Sequence, residues 1–582
     1  MFYTIPWNCL LSETYLPQSF IMNYVLRGFF AIIFTIATTA ICAASDWPTY
    51  MHDNSRVGST PDSLGSPLTL SWTYKSPVPP KRAFSGPHDK VHEGKKLRSR
   101  IRFDDVFHVA ISAGRVYFGS SVDGRLHCRD AASGTEHWTF FTDGPIRLAP
   151  TVANGRVYAG SDDGCVYCLD AVSGTLIWKR RAGPRDERIL ARARMTSRWP
   201  VRTGVLIDNG IAYFGAGVFP HETVYLYAVD ATTGEIIWKN DWISQRDAGR
   251  DDLSPQGYML ASKDILFVPS GRSMPAAIRR SNGERIYKSA PSWRGDGGGQ
   301  IGGTDAMLAN DQLYSLAEHH VLALDQKRGR TGFGWFLARR MTMAGDMAYM
   351  ANGQEIIAVD HSEHAAATRK RHPLDLKMNN LTRAITRHKA PSELKDAKLL
   401  EAKLVAAKLR LEELTGEGES ETPGHAVARE SVKAASSAYA TAAKKYEKSR
   451  QDFNAKQEQY KELKAKIDEF KQVGIKWRFN SKNESSLVVT GNSVVAGGIG
   501  EVTVLDILTG KPKWQSKIKG EARGLAIADG RLFVSTTEGE IYCFAPPAKN
   551  TAVPLNATVA DPFPEDALSK TYATAAQSIL EE

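Results

Sequence analysis

The chain repeats a pattern of about 40 residues, and this repeat restricts its fold more than any other feature. Residues 113–138 read AGRVYFGSSVDGRLHCRDAASGTEHW, and residues 154–178 read NGRVYAGSDDGCVYCLDAVSGTLIW. Each copy holds two short strands separated by a glycine turn, then an Asp-x-x-Ser-Gly turn and a strand that ends in tryptophan. Aspartate caps such a turn, and glycine supplies the positive φ that the reversal requires. Repeats of this kind are typical of propeller blades.

Six further segments follow the same frame, so the sequence predicts an all-β, eight-bladed β-propeller. The sixth copy stops at Asp360 and regains its last strand only at residues 476–479, and the eighth copy stops near Pro547. Residues 68–74, LTLSWTY, would complete the eighth blade and close the ring by pairing both ends of the chain. The predicted closing aromatic residues are Trp138, Trp178, Trp238, Tyr287, Trp335, Trp477, Trp514 and Trp72.

The repeated Tyr-aliphatic-Asp-x-x-Thr-Gly-x-x-x-Trp pattern resembles the pyrroloquinoline-quinone (PQQ) type propeller repeat of the quinoprotein alcohol dehydrogenase-like family. The lead-in DWPTYMHDNSRVG, residues 46–58, resembles the segment that usually precedes such propellers. The resemblance covers about residues 46–360 and 476–547 and implies the propeller fold. It implies no single function, because the repeat serves quinoprotein dehydrogenases and also non-catalytic scaffolds, such as the propeller lipoprotein of the bacterial outer-membrane assembly machine.

Residues 361–475 interrupt the sixth copy and are rich in Ala, Lys, Glu and Leu. Apolar residues recur at heptad spacing over residues 397–414 and 432–470, and the breaker TGEGESETPG separates the two runs. This pattern predicts an inserted α-helical coiled-coil hairpin whose second helix has about 45 residues. The first helix is too short to cover the second. Either residues 378–388 extend it beyond Pro391, or the seam pairs with another chain, or the arm packs on the propeller rim.

The N-terminal region predicts export. Arg27 precedes the apolar run GFFAIIFTIATTAICAA, which ends at Ala44, and Met22 is the expected true start. This pattern indicates a signal peptide and places the mature chain in the periplasm or cell envelope, with an uncleaved membrane anchor as the alternative. The C-terminal tail resembles a linker, which leaves open a separate catalytic partner. The predicted divisions are a signal peptide at 1–44, propeller blades at 45–360, the helical insertion at 361–475, the last blades at 476–547 and a tail at 548–582.

The charge balance favours anionic surroundings and argues against nucleic acid. The formal net charge is +10, and no basic block carries the interleaved aromatic residues of a nucleic-acid surface. We therefore predict envelope or membrane proteins as partners, bound through the blade faces and the helical arm.

The cysteines do not predict a redox or metal site. Cys128, Cys168 and Cys543 share one position of the repeat, where other copies have alanine, so the position favours a small buried residue. The chain has no CxxCH motif for covalent haem. The quinoprotein resemblance implies an adjacent Cys-Cys pair and a Glu/Asn/Asp set around Ca²⁺, and this sequence has no Cys-Cys pair. The sequence thus assigns no catalytic residue, metal ligand or cofactor, and PQQ with calcium stays open as an alternative.

Polar residues at one mouth of the predicted central channel form the candidate ligand site. Arg147 and Arg202 stand at matching positions before the opening turn of two copies, a third copy has Gln256 there, and Arg198 and Trp199 lie nearby. Bidentate guanidinium pairing would hold an anionic small ligand, such as a carboxylate-rich molecule or a sugar acid. The alternative is a water-filled channel whose arginines bind strand ends. We predict an exported binding or scaffolding propeller, with a PQQ-dependent oxidoreductase that uses the channel as the alternative.

Overall fold

The structure is a computed structural model. Most of it consists of small antiparallel β-sheets, and a helical region interrupts their succession. The predicted signal peptide lies outside the described residues. The structure describes residues 46–84, 91–92, 95–96, 103–191, 194–219, 222–243, 253–270, 273–288, 305–316, 321–416, 423–547 and 569–581.

Short strands joined by tight turns follow one another along most of the chain. The strands before the helical region are β1 (Thr69–Lys75), β2 (Val91–His92), β3 (Lys95–Lys96), β4 (Val109–Ser112), β5 (Arg115–Gly119), β6 (Arg125–Asp130), β7 (Glu136–Phe141), β8 (Thr151–Ala153), β9 (Arg156–Gly160), β10 (Cys165–Asp170), β11 (Leu176–Arg181), β12 (Arg188–Leu190), β13 (Met195–Ser197), β14 (Leu206–Asp208), β15 (Ile211–Ala216), β16 (Tyr225–Asp230), β17 (Ile236–Asn240), β18 (Leu260–Ala261), β19 (Ile265–Ser270), β20 (Ser273–Arg279), β21 (Arg285–Lys288), β22 (Ala306–Ala309), β23 (Gln312–Leu316), β24 (Val321–Asp325), β25 (Thr331–Phe336), β26 (Arg340–Ala344), β27 (Met347–Ala351) and β28 (Glu355–Asp360). The helices are α1 (His361–Thr386), α2 (Ala390–Thr415), α3 (Pro423–Gln472) and, near the C-terminus, α4 (Ser569–Glu581). The strands after α3 are β29 (Ile475–Asn480), β30 (Ser486–Val489), β31 (Ser493–Gly497), β32 (Ile499–Asp506), β33 (Pro512–Ala528), β34 (Arg531–Thr536) and β35 (Glu540–Ala545).

Among the described residues, six consecutive sheets each contain four antiparallel strands in chain order: β4–β7, β8–β11, β14–β17, β18–β21, β22–β25 and β26–β29. Strands β30–β35 join β1 in a sheet of seven. Strand β33 links two four-stranded units within it, because its first half pairs with β32 and its second half pairs with β34. Two short hairpins, β2–β3 and β12–β13, stand apart from these sheets. Repeated small meander sheets of this kind are those of a propeller-type fold.

The N-terminal strand completes the sheet formed by the last strands of the chain. Strand β1 pairs antiparallel with β35, so that Thr73 lies opposite Tyr542. Trp72 on β1 donates a hydrogen bond from Nε1 to the carbonyl oxygen of Ala131, 3.1 Å away in the first four-stranded sheet. The orphan strand expected from the sequence is therefore present, and it contacts both the last sheet and the first.

The aromatic residue that ends a repeat packs on the following sheet. The indole N–H of Trp138 donates to the carbonyl oxygen of Ala171 at 3.2 Å. On its own sheet Trp138 lies opposite Cys128, and Trp178 lies opposite Cys168 in the same register. A small residue is required at this position because the large ring occupies the space across from it.

The cysteines in this position are buried and free of disulfides. Burial raises the pKa of Cys128 and Cys168 to about 11, and that of Cys543 to about 12. These thiols are protonated at neutral pH, which agrees with their interpretation as small core residues.

The fifth four-stranded sheet, β22–β25, differs in register from the other sheets. There Ala323 lies opposite Phe333, while Trp335 lies opposite Leu322. Two β-bulges between these pairs change the register of β25 against β24. Phe333 rather than Trp335 is thus paired with Ala323 in the backbone register, and the closing role of Trp335 stays a prediction.

The segment 46–64 runs past the first strands of successive sheets in chain order. It begins with Trp47, which pairs with Ile111, and its buried Arg56 donates from Nε to Met259 O at 3.0 Å. The first-strand residues that it contacts are Ile111, Val152, Ile207, Ala261, Leu308, Thr342 and Val489. The segment therefore ties seven first strands together at one end of the sheets.

The helical region leaves the sixth sheet at Asp360, which occupies the position of the repeat's turn aspartate. Its Oδ1 accepts a hydrogen bond from the Glu363 N–H at 3.0 Å and caps α1, just as Asp130 Oδ1 accepts from the Ser133 N–H at 2.7 Å in an ordinary turn. The chain returns at Gly474, whose carbonyl oxygen accepts from the Asp360 N–H at 2.7 Å. Both ends of the insertion are thus fixed at one point of the sheet.

Helices α1 and α2 pack in series against α3 and form the helical arm, residues 361–472. Contacts at its base, middle and tip join His364 Nδ1 to Val473 O (2.8 Å), His388 Nε2 to Asp452 Oδ2 (2.9 Å) and His425 Nε2 to Leu414 O (3.0 Å). Helix α3 has 50 residues, so the arm is about 75 Å long. Residues before Pro391 do extend the partner of the long helix, as one of the sequence alternatives proposed. No helix in the described part of the chain combines the length and apolarity that a membrane crossing requires.

Candidate functional site

Two of the predicted arginines converge on one buried carboxylate. Arg147 and Arg202 precede the first strands β8 and β14, and Asp162 lies in the turn between β9 and β10. Asp162 accepts from Arg147 Nε at 2.7 Å and from Arg202 Nε and Nη2 at 2.8 and 3.0 Å. The Asp162 side chain is only 1% exposed. Burial alone would raise the pKa of Asp162, but Arg202 and Arg147 together hold it below its ordinary value.

A second buried carboxylate fixes the segment that follows β1. Arg147 Nη1 donates to Asp104 Oδ2 at 2.9 Å and to the carbonyl oxygen of Lys81 at 2.6 Å. Asp104 Oδ2 also accepts from the Ala83 N–H at 2.6 Å. Burial raises the pKa of Asp104, and Arg147 opposes that rise. These bonds hold residues 81–83 beside the guanidinium group.

These groups line a cavity of about 230 Å³, which we call the basic pocket. The β12–β13 hairpin supplies Arg194, whose Nη1 donates to the carbonyl oxygen of Ser121 at 3.2 Å. Arg82 pairs with Asp105 at 3.0 Å. The side chains and backbone that line the basic pocket belong to Lys81, Arg82, Ala83, Ser121, Pro145, Arg147, Asp162, Ala191, Arg194, Thr196 and Arg202.

A second, central cavity lies among the first strands and has a volume of about 60 Å³. Tyr50, from the N-terminal segment, stacks on Tyr258 with ring centroids 3.7 Å apart. His108 also lines the cavity, and burial, followed by the charge of Arg523, lowers its pKa to about 3. Two arginines that line this cavity have carboxylate partners, since Arg340 lies 3.5 Å from Asp305 and Arg523 lies 3.2 Å from Asp105.

Two observations bear on a PQQ–calcium site. The central cavity, of about 60 Å³, has room for a few water molecules. Within the described ranges, no three His, Cys, Asp or Glu side chains are grouped as metal ligands would be.

The other predicted site residues lie apart from the basic pocket. Arg198 pairs with Glu187 and, at 2.8 Å, with Glu222. Trp199 is buried against Tyr225 and donates from Nε1 to the carbonyl oxygen of Glu222 at 3.1 Å. These contacts place Arg198 and Trp199 in a separate cluster between the second and third sheets.

Gln256 is likewise buried outside the pocket lining. Its Nε2 donates to Ser254 Oγ at 2.6 Å, and its Oε1 has no hydrogen-bond partner among the described residues. The structure therefore groups Arg147 with Arg202 and leaves the remaining three predicted residues elsewhere.

Sequence reasoning missed the carboxylates that organise this site. Asp162 belongs to a recurring turn, and the preceding copy of the repeat, one residue longer here, has Ser121 and Val122 in its place. Comparison of the copies could have revealed Asp162 as a site residue. A charged residue that does not recur in the other copies is not required to form the turn. Asp104 lies outside the repeat and gave no comparable signal.

Comparisons with known proteins match this chain to a propeller family. A family model described as "Outer membrane protein assembly factor BamB" matches residues 91–209, 221–384 and 474–562, more than half of the chain. No curated protein matches the sequence.

Several solved structures are similar at low identity. BamB from Moraxella catarrhalis is 12% identical over 82% of this chain and 99% of its own, with a TM-score of 0.43. A quinohemoprotein alcohol dehydrogenase from Comamonas testosteroni is 13% identical over 89% of this chain and 83% of its own, with a TM-score of 0.47. A europium-containing methanol dehydrogenase is 11% identical over 86% of this chain and 98% of its own, also with a TM-score of 0.47. Similarity at this level leaves function open.

Proposed function

This chain belongs to the PQQ-repeat propeller family described as outer membrane protein assembly factor BamB, and from that premise we propose that it is an exported scaffold that binds other proteins of the cell envelope. The alternative is a PQQ-dependent oxidoreductase. Family membership supports the envelope location, since the family description refers to an outer membrane assembly factor. The pairing of Arg340 with Asp305 and of Arg523 with Asp105 supports the scaffold, since these arginines already have carboxylate partners.

We also propose that the sheets form a closed ring of eight blades. Six four-stranded sheets and the two units joined by β33 supply that number among the described residues. Support for closure comes from the pairing of β1 with β35 and from the bond between Trp72 and Ala131. A closed ring leaves no unpaired edge between its first and last blades, which removes a hazard of open sheets.

The helical arm is the observation that carries the scaffold proposal. Its base is packed on the fifth sheet, where Phe336 stacks on His361 and His364 at centroid distances of 5.9 and 5.7 Å. Its distal half is only two helices thick, so each helix keeps a face in solvent. Leu399 and Leu409 on α2 are 58% and 54% exposed. A long arm that is anchored at its base and open to solvent on both helices offers surface on which another protein can dock.

The edges of two sheets offer a further contact surface. Strands β11 and β17 are the last strands of their sheets, and each exposes apolar side chains: Leu176 and Ile177, and Ile236 and Ile237. An edge strand also presents unpaired N–H and C=O groups to a partner strand. The sheet edges therefore supplement the helical arm.

Site-specific photocrosslinking in intact cells tests the scaffold proposal. A photoreactive amino acid replaces Leu409 in one variant and Glu462, an exposed polar position on α3, in the control. We expect a discrete adduct with an envelope protein at Leu409 and none at Glu462. The absence of an adduct at Leu409, or equal adducts at both positions, contradicts docking on the arm.

A second measurement tests the oxidoreductase alternative. The purified protein is incubated with PQQ and Ca²⁺, an alcohol or sugar, and an artificial electron acceptor. A scaffold leaves the dye oxidised, whereas quinone-dependent dye reduction would establish the enzyme.

A further inference from the structure

We propose that the basic pocket binds a small oxyanion, either phosphate or a polycarboxylate. This site is distinct from the helical arm, and the proposal does not rest on the scaffold function. It rests on the charge of the pocket, on the guanidinium nitrogens left without hydrogen bonds and on the size of the cavity.

Positive charge exceeds negative charge around the pocket. Five cations line it, namely Lys81, Arg82, Arg147, Arg194 and Arg202, and one carboxylate, Asp162, lines it with them. Asp104 and Asp105, which are not part of the lining, neutralise part of this positive charge by pairing with Arg147 and Arg82. Asp105 also pairs with Arg523. Lys81 and Arg194 form no ion pair with a described carboxylate. An anion is the ligand that balances such a site.

The buried guanidinium groups of Arg147 and Arg202 are held in place by some of their N–H groups, and other N–H groups stay available. Arg147 uses Nε and Nη1 for its hydrogen bonds to described residues, and Arg202 uses Nε and Nη2. Within the described part of the chain, this leaves Arg147 Nη2 and Arg202 Nη1 without a hydrogen bond, so both can bind a ligand. Asp162 fixes both planes, so little side-chain freedom is lost when an oxyanion binds. Asp162 is thus a positioning residue.

Arg194 also lines the pocket. It lies on the β12–β13 hairpin, and its bond to Ser121 uses only Nη1. Thr196 on the same hairpin donates from Oγ1 to the backbone carbonyl oxygen of Asp162 at 3.0 Å. This bond attaches the hairpin to the turn between β9 and β10. Five cations around a volume of about 230 Å³ suit a compact anion that accepts several hydrogen bonds.

Isothermal titration of the full-length protein with inorganic phosphate and, separately, with citrate tests the proposal. Ionic strength is kept constant with chloride. We expect saturable binding of at least one of the two anions, and the tighter one identifies the ligand class. Arg194→Gln should weaken that binding about tenfold or more, because one charge-assisted hydrogen bond is lost.

The matched control is Arg188→Gln on the same hairpin, since Arg188 pairs with Asp186 and Asp143 outside the pocket lining. It should leave the binding constant unchanged. The absence of saturable binding for both anions would overturn the proposal, as would equal binding by wild type and Arg194→Gln at unchanged fold by circular dichroism. In that case the basic pocket is only an ion-pair network that fastens the hairpin.

Discussion

Acidification should destabilise this protein through His108, a buried histidine at the central cavity. Its ring packs edge-on against Tyr50 and Tyr258, with centroids 5.0 and 5.9 Å away. Burial is the main cause of its low pKa of about 3, Arg523 lowers it further, and Asp305 opposes both. Of the other charged groups, Arg340 and Arg56 line the same cavity. His108 is therefore neutral in the folded chain over the whole physiological range.

The size of the effect follows from the difference between two pKa values. The unfolded chain takes up a proton on this histidine below about pH 6.5, whereas the folded chain does so only near pH 3. In that window the unfolded state binds more protons, so the free energy of unfolding falls as the pH falls. Between pH 7 and pH 5 the loss from this one group is about 2 kcal/mol.

Urea unfolding at pH 7 and pH 5 measures this loss. His108→Gln removes the titrating group, so its free energy of unfolding should fall by about 2 kcal/mol less than that of wild type between the two pH values. His137→Gln, at an exposed position on β7, is the control and should follow wild type. Equal pH dependence of wild type and His108→Gln would refute the reasoning, whatever their absolute stabilities.

Two further predictions concern the sheets and the arm. Trp72→Ala should lower the free energy of unfolding by about 3–5 kcal/mol, because the ring is 3% exposed, whereas Phe219→Ala, at a site 47% exposed, should change it by about 0.5 kcal/mol or less in the same urea experiment. Similar effects of both would argue against a role of β1 in joining the ends. Replacing residues 369–470 with a short Gly/Ser linker should leave a cooperatively melting β-protein, since Asp360 and Gly474 are already bonded and the base of α1 is kept. Circular dichroism should lose helical signal only, and loss of soluble protein would contradict an independent arm.

Local patterns predicted most of the fold. The turn aspartates were recognised because one side chain suffices to cap a turn, as Asp130 does with the Ser133 N–H. The small residue opposite each aromatic was recognised because it recurs. Register was harder to predict, because the bulges that pair Phe333 with Ala323 depend on packing that no repeat encodes.

The candidate site was predicted only in part. Arg147 and Arg202 stood out by their matching positions, but their shared partner Asp162 and the more distant Asp104 did not. Arg198 and Trp199 are close to Arg202 in sequence and nevertheless face another cluster. Residues that are close in sequence can point in different directions just before a strand begins, so closeness in sequence does not determine which cluster a side chain joins.

The sequence by itself determined the repeat, the strands, the turns and the place where the helical arm is inserted. Each of these depends on residues within one copy of about 40 residues, where local backbone preferences and alternating burial act. The tertiary structure alone decided which carboxylate neutralises which arginine, and how much room is left in the two cavities. Those outcomes join Asp104 of a connecting segment, Arg147 and Asp162 at the second sheet, and Arg202 at the third. Ion pairing over such separations is set by the packing of whole sheets, which no single stretch of sequence contains.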